Sequence, residues 1–175
     1  MQSMVRPCRP AEFGTICDII NDAADAYRGV IAPDCWHEPY MSRDELRREI
    51  EDSVEFWACE EGGRIVAVMG LQHVREVALI RHAYTLCTHQ RRGHGAALLA
   101  HLRERTDRPM LVGTWRAASW AVRFYEKHGF RQVGPLRKDQ LLRRYWTVSP
   151  RQIEESVVLA DARWLAAAGA RASEA

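Results

Sequence analysis

The chain has 175 residues, of which 47% are hydrophobic and 27% charged, and its formal net charge is +2. This composition is typical of a soluble globular protein, and so small a net charge argues against a nucleic-acid partner. No apolar run reaches the roughly 18 residues of a membrane-spanning helix and no signal-peptide segment opens the sequence, so we expect a cytoplasmic protein with no membrane partner. The five cysteines form no Cys-x-x-Cys pair, which argues against a disulfide framework and against a zinc site.

The first third of the chain predicts one strand and two helices. Met4–Cys8 is a short candidate strand, and apolar residues over 13–27 recur at helical spacing. The segment 28–41 has neither a helical nor an alternating period. Ser42 and Glu45 then form a capping box, which predicts that a short charged helix begins there.

The remaining elements alternate between strands and helices. Three strands in a meander are predicted over 54–59, 64–71 and 77–88. Later elements are a buried strand over 109–115, a helix over 121–128, a short strand over 130–134, a helix over 140–146 and a final strand over 155–159, for which a helix is the alternative. The order indicates a mixed α+β fold with one parallel crossover. We expect one domain over residues 1–165 and a frayed tail over 166–175.

A basic turn with two glycines follows the strand over 77–88. It reads Gln90-Arg91-Arg92-Gly93-His94-Gly95-Ala96, and leucines at helical spacing come after it. Glycines let the backbone approach a ligand closely, and the first amides of a helix have no intrahelical partner. With arginines beside these amides, the turn predicts a pyrophosphate site. The alternative is a turn that only permits close packing, because the motifs of dinucleotide-binding and phosphate-binding loops are both incomplete here.

A second motif lies one strand and one helix later. It reads Ala121-Val122-Arg123-Phe124-Tyr125-Glu126-Lys127-His128-Gly129-Phe130. The pattern Gln90-x-x-Gly93-x-Gly95 resembles the acetyl-CoA loop of the GNAT N-acetyltransferases, and the second motif resembles the A-x-x-F-Y-E-K-x-G-F segment of the same family. The close resemblance covers residues 77–134. It implies the GNAT acyl-CoA N-acyltransferase fold, an α+β fold whose central mixed, mostly antiparallel sheet is flanked by helices.

The resemblance also implies the cofactor and the site residues. Acetyl-CoA would be the co-substrate, with no metal, and its pyrophosphate would be held by Gln90, Arg91, Arg92, Gly93, His94, Gly95 and Ala96. Thr85, Leu86 and Cys87 are the counterparts of positions that pair with the pantetheine arm between two splayed strands. We expect the Leu86 amide to face the thioester oxygen. Tyr125 is the counterpart of a tyrosine that donates a proton to the departing thiolate, and the alternative is that it only packs in the core.

The general base and the acceptor site are left with several candidates. The base would be His82 on the strand before the turn, or His37 or Glu38 in the irregular segment. In the family the first two helices and their connection commonly wall the acceptor site, so we expect 28–41 to border it. The candidate aromatic residues of this site are Trp36, Tyr40, Trp115 and Trp146. One departure is Ala118, which stands where family members often carry Asn.

These observations lead us to expect an acetyl-CoA-dependent N-acetyltransferase that acts by direct attack in a ternary complex. Its partner would be a primary amine of a small molecule or peptide, and a homodimer is a further option. The alternative is a CoA-binding regulatory or interaction module of the same fold with little or no turnover. The missing Asn and the unassigned base favour that alternative. A binder of nucleic acid or other phosphates that uses the arginines is the third interpretation, and the low net charge argues against it.

Overall fold

The structure is a computed structural model that describes residues 4–173. Its strands form one sheet of seven. They are β1 (Met4–Pro7), β2 (Glu55–Glu61), β3 (Arg64–Val74), β4 (Val77–Thr85), β5 (Met110–Trp115), β6 (Arg131–Gln132) and β7 (Ser156–Ala160). The order across the sheet is β1-β2-β3-β4-β5-β7-β6. Only β4 and β5 are parallel neighbours, which confirms the mixed, mostly antiparallel α+β fold.

Helices cover both faces of this sheet. They are α1 (Phe13–Ala24), α2 (Arg43–Glu51), α3 (His94–Arg103), α4 (Ser119–Lys127), α5 (Pro135–Tyr145), α6 (Pro150–Glu155) and α7 (Ala162–Ser173). Short 3-10 turns lie at Pro10–Glu12, Asp25–Tyr27, Pro33–Cys35 and Cys87–His89. Over the part of the chain that the structure describes, no helix is long and apolar enough to cross a membrane.

Alternating side chains put apolar residues on both faces of the sheet. Ile80 of β4 and Val112 of β5 are buried on the face that α3 and α4 cover. Their neighbours Leu79 and Leu111 are buried on the opposite face, against α5, α6 and α7. The helices α1 and α2 pack on β2 and β3. Each large apolar side chain buried in this way contributes about 1.5–3 kcal/mol to stability.

An irregularity in β4 shapes the site that follows. The register between β3 and β4 shifts between Val68 and Gly70, and His82 has a φ of +48°. A Cβ on Gly70 would lie 2.8 Å from a Val54 methyl group and 2.9 Å from the Arg81 carbonyl oxygen, so glycine is required beside this bulge. A bulge of this kind bends its strand and re-aims the side chains beyond it.

The C-terminal part differs from the sequence prediction. Residues 166–173, expected as a frayed tail, continue α7, and the last two residues of that predicted tail lie outside the described residues. The helix is anchored because the Trp164 side chain is buried and because the backbone N–H of Trp164 donates to Asp161 Oδ1 at 2.9 Å. The helix α6 was not predicted, although Ser149 and Gln152 form a capping box at its start. The last predicted strand, over 155–159, is present as β7 and is not a helix.

Candidate functional site

The parallel strands β4 and β5 diverge and leave a wedge between them. They pair at three positions, Ala78–Met110, Leu79–Leu111 and Ile80–Val112. Beyond these pairs, β4 continues to Thr85 and β5 to Trp115 without pairing to each other. Unpaired N–H and C=O groups on the edge of a strand can pair with an extended ligand. We call this opening the wedge.

Backbone direction decides which groups of β4 face the wedge. The Leu86 N–H donates to the Val66 carbonyl of β3 at 2.9 Å, so it points away from the wedge and the expectation for this amide is wrong. Tyr84 pairs with β3 in the same register. Because successive residues of a strand direct their N–H groups to opposite edges, the amides of Ala83 and Thr85 face the wedge.

The three predicted pairing positions therefore separate. The Thr85 carbonyl, at the wedge, accepts a hydrogen bond from Gln90 Nε2 at 3.4 Å. The Cys87 N–H donates to Asp22 Oδ2 at 2.7 Å, and its exposed thiol lies 3.4 Å from the Asp22 carbonyl. Partial burial and the charge of Asp22 raise the pKa of this thiol. Of the three positions, Thr85 alone is placed to pair with a ligand in the wedge.

The glycine turn leads directly into α3. Gly93 has a φ of +88°, a left-handed value that glycine adopts without strain. The first intrahelical bond runs from the Ala97 N–H to the Gly93 carbonyl at 2.9 Å. The amides of His94, Gly95 and Ala96 precede that bond, and they stand at the positive end of the helix dipole. Free amides at the start of a helix are groups that can bind an anion.

The charged side chains of the turn have different surroundings. Arg91 lines a cleft that begins at the turn and is described below. The Arg92 guanidinium donates to the Glu61 carboxylate at 3.3 Å, so this carboxylate partly neutralises its charge. The His94 side chain is 1% exposed, and its Nδ1 lies 3.5 Å from Cys59 Sγ. At position 94, the backbone and not the side chain is therefore available to a ligand.

A cleft of about 400 Å³ connects the turn with α4. We call it the loop cleft, and its walls include Ala83, Thr85, Gln90, Gly95, Phe124 and Tyr125. A Cβ on Gly95 would lie 3.4 Å from the Phe124 ring. A larger side chain at this position would therefore enter the cleft beside the first amides of α3.

Tyr125 is part of the wall of the loop cleft. Its ring is buried and packs edge-on against Phe124 and Phe130, with centroid distances of 5.1 and 5.6 Å. Burial, and to a smaller extent the Tyr27 phenol, raises the pKa of Tyr125 above its ordinary value. The α4 helix thus holds a protonated phenol against the cleft over the neutral and mildly alkaline range.

A second cavity of about 170 Å³ lies beyond two tyrosines that line both spaces, Tyr27 and Tyr84. We call it the inner cavity. Five aromatic rings form much of its wall, namely those of Tyr27, Tyr40, Tyr84, Trp115 and Trp146. Arg81, His82 and Gly113 also line it. The bulge in β4 therefore brings one predicted base candidate, His82, to this cavity.

Hydrogen bonds connect the aromatic rings of the inner cavity. The Trp115 Nε1–H donates to the Tyr40 hydroxyl at 2.7 Å. The hydroxyls of Tyr27 and Tyr40 interact in turn with that of Tyr84. Burial raises the pKa of all three tyrosines, so each phenol is neutral at ordinary pH. The cavity wall therefore offers hydroxyl groups without a negative charge from tyrosine.

The Glu49 carboxylate of α2 makes a hydrogen bond with the His82 ring. Its Oε2 lies 3.0 Å from His82 Nε2 and 2.5 Å from Arg81 Nη2. Burial opposes ionisation of Glu49, but the hydrogen bond with His82 and the charges of His82 and Arg81 outweigh it and lower the pKa of Glu49. An ionised Glu49 favours the Nε2–H form of the imidazole and leaves Nδ1 as the acceptor. The ring also stacks on Phe56 at 6.0 Å, which fixes its plane.

The other two base candidates lie elsewhere. The Glu38 side chain is 67% exposed and accepts two hydrogen bonds from the Arg28 guanidinium, each 3.1 Å long. This pairing lowers the pKa of Glu38. His37 is exposed, and its Nδ1 lies 2.9 Å from the Pro39 carbonyl oxygen. Neither side chain lines the loop cleft or the inner cavity, so the expected placement of Glu38 is corrected.

Only one end of the irregular segment reaches the site. Tyr40 lines the inner cavity, whereas Trp36 stacks on the outer side of the Tyr40 ring, with the ring centroids 5.7 Å apart. The Arg28 guanidinium lies over the Trp36 ring, 4.8 Å from its centroid. Trp115 and Trp146, the other aromatic candidates, both line the cavity. Within residues 4–173, no group of three or more His, Cys, Asp or Glu side chains is arranged to hold a metal ion.

Comparison with known proteins agrees with this geometry. A family model described as the acetyltransferase (GNAT) domain matches residues 21–144. The chain belongs to the GNAT acetyltransferase family. No curated protein matches the sequence significantly.

Solved structures of GNAT proteins share the fold at low sequence identity. A PaiA N-acetyltransferase from Thermoplasma acidophilum, in complex with coenzyme A, superposes with a TM-score of 0.69 at 15% identity, over 92% of this chain and 99% of that one. A GNAT acetyltransferase from Staphylococcus aureus Mu50 gives 0.68 at 14% identity, over 91% and 98%. A ribosomal-protein-alanine N-acetyltransferase from Brucella melitensis gives 0.58 at 19% identity, over 75% and 86%.

Ala118 is the position at which this GNAT chain departs from the family motif. It is fully buried and packs with Ala24, Tyr27 and Ile31. Its backbone begins α4 with no hydrogen bond from a side chain to the end of the helix. An Asn at this place would put its amide among these apolar groups.

Several residues that line or support the two spaces carry no recognisable signal in the sequence. Glu49 lies in a strongly charged helix that reads as solvent-exposed, and no local signal marks its contact with β4. No motif singles out Tyr27 or Tyr84, yet both line the loop cleft and the inner cavity. Phe124 belongs to the second motif, so its place beside Gly95 could have been suspected from the resemblance.

Proposed function

We propose that the chain is an N-acetyltransferase that uses acetyl-CoA and transfers the acetyl group to a primary amine of a small molecule or peptide in a ternary complex. The observation that carries this proposal is the opening of the parallel pair β4 and β5 beside an anion site. The complex of the Thermoplasma protein with coenzyme A supports the choice of co-substrate.

The residues present fit such a co-substrate. When bound, acetyl-CoA supplies an acetyl group activated as a thioester. The amides of His94, Gly95 and Ala96 hold the pyrophosphate, with the charge of Arg91 nearby. The backbone of Thr85 pairs with the pantetheine arm. A Cβ on Gly95 would lie 3.4 Å from the Phe124 ring, so glycine at this position keeps the loop cleft open beside the turn.

Two groups act at the reacting centre. The amide of Ala83, which faces the wedge, donates a hydrogen bond where negative charge develops on the carbonyl oxygen. Tyr125 gives its phenolic proton to the sulfur as the thiolate departs. The phenol can take this role at neutral pH because it is protonated there.

His82 is the base in this proposal. Its Nδ1 accepts a proton from the amine, and Glu49 stabilises the resulting positive ring through Nε2. The groups that face His82 are Glu49 from α2, Arg81 from its own strand and the neutral phenols across the inner cavity. Glu38 takes no part, because it lies outside both spaces.

Glu49→Gln tests this base. We expect kcat to fall at least about tenfold, because the imidazolium loses its counter-charge. Glu51→Gln, an exposed change in the same helix, is the control and should leave kcat unchanged. A wild-type kcat in folded Glu49→Gln would contradict the role of Glu49 in stabilising the charged His82 ring.

The irregular segment gives a second test, with opposite expectations for two residues. Tyr40→Phe removes the acceptor of the Trp115 indole and should lower the unfolding free energy by about 1–3 kcal/mol while raising the acceptor KM. Glu38→Gln breaks an exposed ion pair that is worth at most about 1 kcal/mol, so the acceptor KM should stay within about twofold. A large KM effect in Glu38→Gln alone would return the acceptor site to the outer part of the segment.

Thermal denaturation with acetyl-CoA tests the first half of the function. At about 100 times its dissociation constant, acetyl-CoA should raise the unfolding free energy by about 2.7 kcal/mol. No stabilisation at millimolar acetyl-CoA would contradict the proposal. Stabilisation without turnover would favour a CoA-binding module, the alternative that the apolar Ala118 supports.

A further inference from the structure

The inner cavity has a composition that selects among amines. We propose that it is the acceptor site and that the acceptor is a compact primary amine with one positive charge and a flat apolar group. The inference rests on the proposed function, which places an amine next to the wedge. It narrows that function from any primary amine to one chemical class.

Size is the first observation. The cavity holds about 170 Å³, the space of about six water molecules at roughly 30 Å³ each. This accommodates an amine and one ring but not an extended peptide. A peptide acceptor would have to leave all but its terminal residue outside the cavity.

Aromatic rings are the second observation. Five of them surround the cavity, and two, Tyr27 and Tyr84, stand between it and the loop cleft. Aromatic pairs prefer offset-stacked or edge-to-face contacts, which a flat ligand group can make with several walls at once. The rings of Tyr27 and Tyr84 already meet edge to face at 6.3 Å. A flat group bound here would continue that arrangement.

Charge is the third observation. Among the described residues that line the cavity, none is Asp or Glu, and the ionisable nitrogen groups are Arg81 and His82. Glu49 stands behind both and is already bonded to them. A single ammonium can lose its proton to His82 and enter as a neutral amine. A second ammonium would be buried without a counter-charge, which is strongly unfavourable, so a diamine is a poor ligand.

Gly113 offers a way to change the cavity without breaking it. A Cβ on this residue of β5 would lie 3.5 Å from Leu142 and 3.6 Å from Trp146, both ordinary van der Waals distances. Gly113→Ala should therefore fold normally and remove only the space of a methyl group beside the Trp146 ring. Gly134→Ala is a matched control, because a Cβ there would meet nothing within 4 Å.

The test measures CoA release by the full chain with four acceptors. They are phenethylamine, n-butylamine, 1,4-diaminobutane and a tripeptide with a free N-terminus. With rates expressed per concentration of unprotonated amine, we expect phenethylamine to exceed the other three in kcat/KM at least about tenfold. Gly113→Ala should raise the KM for phenethylamine about fivefold or more. The KM for n-butylamine should stay within about twofold of the wild-type value. Gly134→Ala should change neither.

The outcomes distinguish failure of the proposed acceptor class from failure of the proposed acetyltransferase function. A preference for the diamine or the tripeptide, or an equal effect of Gly113→Ala on all four acceptors, would overturn the acceptor class and leave the acetyltransferase function standing. If none of the four amines stimulates the release of CoA, the acceptor class is overturned and the result also counts against the acetyltransferase function. In that case, acetyl-CoA stabilisation of the fold would show whether the co-substrate site survives.

Discussion

Gly95→Asp is expected to lower the affinity for acetyl-CoA about a thousandfold. The new carboxylate would stand at the start of α3, where the amides of His94, Gly95 and Ala96 form the anion site. Two like charges about 4 Å apart repel by about 4 kcal/mol at the effective dielectric constant of a protein surface, which corresponds to this loss of affinity. The fold should survive, because an acidic residue in the first turn of a helix is favourable. Titration calorimetry measures the affinity.

Gly95→Ala separates charge from bulk in this experiment. Its methyl group would lie 3.4 Å from the Phe124 ring, close contact that a small shift of the ring relieves. We expect a moderate loss of affinity for the alanine variant and near-complete loss for the aspartate variant. Equal affinities for acetyl-CoA in folded Gly95→Asp and in the wild type would show that the turn binds no pyrophosphate.

Tyr125→Phe should lower kcat by about 10²–10⁴-fold with little change in the affinity for acetyl-CoA. The substitution removes the hydroxyl and keeps the ring, so the contacts with Phe124 and Phe130 remain. Tyr145→Phe is the matched control, because that hydroxyl bonds to Glu76 away from the wedge. Single-turnover kinetics isolates the chemical step. A wild-type rate for that step in Tyr125→Phe would leave Tyr125 as a core residue.

The pH dependence of Tyr125 follows from the direction of its pKa shift. A proton donor is active while protonated, and burial raises the pKa of this phenol above its ordinary value near 10. Activity should therefore show no alkaline limb from Tyr125 below about pH 10. An alkaline limb near pH 8 that disappears in Tyr125→Phe would contradict the assigned environment.

Local sequence signals predicted the fold, including the glycine turn before α3 and the motif on α4. The turn from Gln90 to Ala96 and the segment around Tyr125 carry their patterns in consecutive residues, so spacing was enough to single them out. Helical spacing over 13–27 and the capping residue Ser42 likewise predicted α1 and α2. These features depend on the chain within one turn or one helix, where sequence and structure are closely linked.

Contacts between distant segments could not be predicted in this way. The direction of the Leu86 amide depends on the register shift beside Gly70, and a shift by one residue reverses every group of the strand. The partner of His82 is Glu49, which is 33 residues away in a helix whose charges suggest solvent exposure. Glu38 looked equally suitable as a base, and only the fold shows it paired with Arg28 at the surface.

The acetyl-transfer proposal is tested most directly by following CoA thiol release and the mass of the amine together. The wild-type chain is incubated with acetyl-CoA and phenethylamine, and then with acetyl-CoA alone. We predict that CoA appears much faster with the amine, in equal amount to an N-acetylated product, and that Tyr125→Phe slows both together. Stabilisation by acetyl-CoA without acetylation of this or any other amine of the panel would contradict the proposal and identify the chain as a CoA-binding module.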